Sequence, residues 1–162
     1  MALAALVTWV ITAAFGFFML GTWISQGGAR ASEGSASNFR PPVVFGHFLL
    51  AAAGLLLWIV YLFTDSQALA WVAFIDLLVV AGIGDLLVLR WFKDRRSPAP
   101  STVGTGDSRS TTRGAAATAT NATSAPDLAE QRIPLAAVAA HGVFAVLTVI
   151  LVLLTALGVG AS

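Results

Sequence analysis

The sequence predicts an all-α protein, a transmembrane four-helix antiparallel bundle, and three observations predict it. Of 162 residues, 57% are hydrophobic and only 10% charged, whereas soluble domains carry roughly a quarter charged residues. The apolar residues gather into four long runs, each sufficient at ~1.5 Å per helical residue to cross a ~30 Å hydrocarbon core. The sequence between the runs is either very short or polar and of low complexity.

The first run, 2–24, contains no charge and reads as a spanning helix. Ala29-Arg30-Ala31 would suit a cleavage site, but no basic stretch precedes the run, which exceeds the ~7–15 apolar residues of a signal peptide. A retained helix is therefore expected. A loop rich in Gly, Ser and Ala follows, carrying Arg30, Glu33 and Arg40, a composition that cannot bury a core. The second helix, 42–63, opens on Pro42, where a missing N–H costs least. The connection 64–67 is so short that the third helix must return antiparallel beside the second.

The third helix, 68–92, carries two carboxylates, Asp76 and Asp85, within its apolar run. Beyond Lys93-Asp94-Arg95-Arg96, the stretch 97–131 is built of Ser, Thr, Ala, Gly and Pro and is expected to be a disordered linker. The chain thus divides into 1–96 with three helices, the linker 97–131, and 132–162 with the fourth helix, 134–159. All nine Lys and Arg residues lie in or beside the first and third connections. The positive-inside rule then predicts a multi-pass protein of the bacterial inner membrane, with both termini outside and loops 25–41 and 93–133 cytoplasmic. Trp23 and Trp91 are expected at the cytoplasmic interface and Trp71 at the outer one.

Several function classes drop out on composition. A net charge of +1 with no basic run gives no footprint for nucleic acid. The absence of cysteine removes disulfides, thiolate metal sites, iron–sulfur clusters and covalently attached c-type haem. No G-x-S-x-G, H-E-x-x-H or phosphate-loop pattern occurs, so nothing marks the chain as an enzyme.

Polar groups inside the spans carry what functional signal remains. The only two histidines sit early in proline-led helices, His47 five residues past Pro42 and His141 seven past Pro134, and Asp85 lies seven before Phe92. All three are then roughly 8–10 Å inside the cytoplasmic helix ends, and buried ionisable groups in membranes tend to pair within the bundle. A cluster of His47, His141 and Asp85 is expected, on faces bearing small residues such as Ala51, Gly54, Ala81, Gly82, Ala137 and Ala145. Asp76, nine residues before Asp85, points about 180° away from it, with Thr12 or Thr148 as candidate partners.

Four roles fit such a cluster. The leading expectation is a non-enzymatic accessory or scaffold protein, held in register by His47 and His141 and partnered by lipid, other membrane subunits or its own copies. The alternative is haem b with His47 and His141 as axial ligands. A metal site of His47, His141 and Asp85 is a third reading, and a proton or metal-ion relay in a transporter subunit a fourth.

With histidines on separate spans of a compact bundle, the chain resembles b-type four-helix membrane cytochromes through His47 and His141. That resemblance implies haem-linked electron transfer, although the second ligand pair of two-haem cytochromes is missing. In its Ala/Leu/Val-heavy helices, its PPVVFGH and AHG motifs and its polar linker, the whole chain also resembles small four-span membrane proteins of high-GC actinobacteria, a resemblance that implies no activity.

Overall fold

In the computed structural model, which describes residues 1–30, 37–96 and 128–159, four helices follow one another without a strand among the described residues. They are α1 (Ala2–Ser25), α2 (Pro41–Thr64), α3 (Gln67–Arg96) and α4 (Leu135–Ala156), each long and apolar enough to cross a membrane. The all-α bundle is as the apolar runs require. Large apolar side chains such as Leu3, Phe17, Leu56, Leu86 and Val146 cover the outside, an arrangement suited to lipid and unfavourable in water.

Local chemistry sets the helix ends. Pro41 and Pro42 occupy the first turn of α2, where no N–H is needed. Asp65 closes α2 in the left-handed conformation (φ 48°, ψ 25°), its N–H donating to Tyr61 O at 2.9 Å. The chain reverses through Asp65 and Ser66 alone. Aspartate tolerates that conformation far better than a β-branched residue, so Asp65→Val is expected to cost roughly 1–2 kcal/mol and Asp65→Gly almost nothing, by thermal unfolding in detergent. At its far end α3 continues through Lys93, Arg95 and Arg96, where cations complement the helix dipole.

The helices form two closely packed pairs. α1 lies along α4 and α2 along α3, while α3 meets α4 less extensively, α1 meets α2 less still, and α2 and α4 barely touch. α2 and α4 are therefore diagonal across the bundle. Within the α1–α4 pair Thr148 Oγ1 donates to Thr8 Oγ1 at 3.0 Å. On α3 the buried residues Ala70, Ala73, Leu77 and Val80 recur at spacings of three and four, the stripe by which an antiparallel neighbour packs.

Two apolar clusters fill the ends. At the short-turn end Ala5, Trp9, Trp58, Ala70, Ala73, Leu77, Val152 and Ala156 pack together. At the loop end Trp23, Phe39, Trp91, Ala129 and Ile133 form the second cluster. Trp23 and Trp91, expected in an interfacial belt, are instead 1% and 2% exposed, because chain folded over the helix ends covers them. Trp23 Nε1–H donates to Ser37 Oγ (2.9 Å) and Trp91 Nε1–H to Glu130 O (2.9 Å). Trp71 is exposed, as a belt residue would be.

Much of that cover comes from residues expected in the linker. A 3-10 turn spans Ala129–Arg132, and Glu130 is fully buried, accepting the Asn38 N–H through Oε1 at 2.7 Å. Arg95 Nη2 reaches Gln131 O and Ile133 O at 3.2 and 3.1 Å, with its guanidinium 4.4 Å from the Trp91 ring centre. Residues 128–131 are thus folded, because Glu130 and Ala129 supply burial and hydrogen bonds that composition does not reveal. The rest of the expected linker, 97–127, lies outside the described residues.

Candidate functional site: a histidine pair where the two helix pairs meet

Between the two clusters lies a polar layer. His47 on α2 donates its Nδ1–H to Val80 O of α3 at 3.1 Å, and His141 on α4 donates its Nδ1–H to Thr12 O of α1 at 2.9 Å. Both bonds run within a helix pair, and both meet a carbonyl that also serves its own helix, since a carbonyl has two lone pairs. The residue four positions on is glycine in each case, Gly84 after Val80 and Gly16 after Thr12. A Cβ added to Gly84 would lie 3.1 Å from His47 Cε1, and one added to Gly16 would lie 3.3 Å from His141 Cε1. The missing side chains are what let each imidazole lie against the neighbouring helix and reach its carbonyl.

The two halves face each other. His47 and His141 have ring centres 6.4 Å apart with planes inclined at 55°, so each helix pair presents one imidazole across the seam. With Nδ1 protonated and donating, a neutral imidazole keeps its lone pair on Nε2. That is the state in which histidine binds a metal, its other nitrogen oriented by an outer partner. Two metal–nitrogen bonds of roughly 2.0–2.1 Å, plus about 1.1 Å from each nitrogen to its ring centre, span about 6.3 Å. The observed ring-centre separation of 6.4 Å is close to that in-line span. Aromatic contacts flank the layer, with Phe15 and Phe144 stacked at 6.3 Å and Phe17 and Phe48 edge-on at 5.1 Å.

Asp85 does not join them. It is exposed on the outer side of α3, and among the described residues no group of three or more His, Cys, Asp or Glu side chains is placed to hold a metal ion. The expected cluster of His47, His141 and Asp85 is therefore not assembled, and the reason is helix rotation. Gly84 meets His47, and the next residue is turned ~100° away from it. Of the small residues expected beside Asp85, Gly82 is exposed with it and Ala81 is half-buried.

Asp76 faces inward, opposite to Asp85 as expected. Its Oδ2 is buried against Gly54 of α2, close to where Trp9 of α1 also approaches that glycine, and has no hydrogen-bond partner among the described residues. Neither expected partner reaches it. Thr12 Oγ1 donates to Thr8 O at 2.8 Å, and Thr148 Oγ1 is engaged with Thr8 Oγ1 and Phe144 O. Both threonines spend their hydroxyls along α1 and α4.

Gly16, Gly84 and the two carbonyls were missing from the sequence reading of the site. A signal for Gly84 existed, since it continues the series Ala70, Ala73, Leu77, Val80 by one more step of four. Compared with protein-family models, with curated proteins and with solved structures, the chain matches none.

Proposed function

We propose that this membrane bundle binds a b-type haem through His47 Nε2 and His141 Nε2 and serves in electron transfer. The observation that carries the reading is the pair of facing imidazoles, 6.4 Å apart, each with Nδ1 committed to a backbone carbonyl. Haem b would supply one-electron chemistry at its iron, with axial ligands and burial tuning the potential. The chain's own contribution is orientation: the Val80 and Thr12 carbonyls hold the tautomer, and Gly84 and Gly16 set where each ring lies. Two closely packed pairs joined along a looser seam also suit a flat group lodged between them. The location of all nine Lys and Arg residues supports a cytoplasmic loop end and external termini in the inner membrane.

The test is a reduced-minus-oxidised absorption spectrum of the detergent-purified chain from haem-replete cells. A Soret band and a reduced α band are expected, both lost in His47→Ala and in His141→Ala. A stable, colourless protein overturns the haem reading. It would favour instead an accessory or scaffold subunit in which each imidazole only clasps two helices, a reading supported by the bonds to Val80 and Thr12 running within the pairs. In that case His141→Phe should cost only about 0.6–2 kcal/mol.

A further inference from the structure

We propose that the groove between the start of α2 and the loop end of α3 is a binding site for an anionic phospholipid, recognised through a phosphate headgroup whose negative charge no cation of its own offsets. An open groove of about 280 Å³ is lined by Phe39, Arg40, Val43, Leu86, Leu87 and Arg90. Its chemistry is divided as a phospholipid's is. Arg40 and Arg90 supply two exposed guanidiniums, and the other four residues are apolar. Among the described residues neither guanidinium has a hydrogen-bond or ion-pair partner, and no carboxylate lines the groove.

Position agrees with chemistry. Arg40 immediately precedes α2, and Arg90 stands six residues before the end of α3, at the level where the apolar run gives way to Lys93, Arg95 and Arg96. That is headgroup depth. Val43 and Leu86 are exposed at 38% and 65%, so the apolar floor continues onto the lipid-facing surface where an acyl chain would lie. The end with the basic residues is also the one the positive-inside rule directs to the anionic leaflet.

The arginines have to carry the recognition. A helix start ordinarily offers a phosphate several free N–H groups. Here Pro41 and Pro42 have none, and the N–H groups of Val43 and Val44 already donate to Arg40 O at 2.9 and 3.3 Å. Planar guanidiniums can bind phosphate oxygens bidentately, which suits them to the task.

The experiment is native mass spectrometry of the full chain in maltoside detergent, titrated with phosphatidylglycerol or with phosphatidylcholine of identical acyl chains. At about fivefold per arginine, the wild type should prefer phosphatidylglycerol by about 25-fold. Arg40→Gln/Arg90→Gln should remove that preference while leaving the unfolding temperature unchanged. Arg30→Gln/Arg96→Gln, which removes the same charge from the same end, should largely keep it. Equal retention of the two lipids by the wild type overturns the proposal. So does a preference that survives in the groove variant or falls equally in the control. Inorganic phosphate that displaces phosphatidylglycerol at equal concentration would also overturn it, by showing a soluble-anion site. None of these readouts involves haem.

Discussion

Gly84→Leu and Gly16→Leu should each disable the histidine site without touching a histidine. The space a Cβ would take at Gly84 is bounded by His47 Cε1 at 3.1 Å, and at Gly16 by His141 Cε1 at 3.3 Å. Alanine at either position asks the imidazole to yield by a few tenths of an ångström. Leucine pushes the ring off the carbonyl it donates to, and removing the outer partner of a ligating histidine typically costs 10–100-fold in affinity. Each leucine variant should therefore lose haem by about that factor and lose roughly 1–3 kcal/mol of stability through overpacking. Gly82→Leu and Gly142→Leu are the controls, because nothing lies within 4 Å of a Cβ at either position. Spectra and thermal unfolding of the four leucine variants decide the matter. If Gly84→Leu keeps a wild-type Soret band and melting temperature, Gly84 does not position His47. Should the protein bind no haem at all, the stability difference between the two pairs of variants still tests the packing.

Glu130→Ala is the second large effect. The side chain is completely buried at the loop end, where Oε1 accepts the Asn38 N–H at 2.7 Å. Truncation would leave that N–H without its partner and open a cavity where the buried side chain stood. An unsatisfied buried donor costs about 1–3 kcal/mol, and the cavity adds to it. A loss of about 2–4 kcal/mol is expected, with new protease cleavage between residues 128 and 133, since the same segment holds Trp91 Nε1–H and Arg95 through its carbonyls. Wild-type resistance to proteolysis in Glu130→Ala would mean that the apolar cluster alone pins the segment. Among the described residues Glu130 Oε2 and Asp94 Oδ2 are both buried without hydrogen bonds, and Asn38 touches both side chains.

Hydrophobic run length made the four helices legible, because a bilayer-scale apolar segment has few alternatives to a helix. α2 is observed at Pro41–Thr64 against an expected 42–63, while α4 stops at Ala156 rather than at 159. Where charge continued a helix, the apolar run misled. α3 extends to Arg96, beyond Phe92, because the basic residues favour its C-terminal end. The cover formed by Ala129–Arg132 was hidden because its composition reads as linker, and only the tryptophan surfaces beneath give those few residues something to bury.

From the sequence alone came the number of spans, the antiparallel turn at Asp65 and the common depth of His47, His141 and Asp85. Each depends on distance along a single helix, which at ~1.5 Å per residue can be counted. Rotation and pairing are properties of two surfaces in contact, and the tertiary structure alone decided them. It set α1 against α4 and α2 against α3, turned Asp85 outward and Asp76 inward, and stood His47 opposite His141. The physical reason lies in Gly16 and Gly84. Where a neighbouring helix lacks a side chain an imidazole can lie close enough to bond the backbone, and a ~100° step along α3 separates the residue that permits this from the carboxylate that does not.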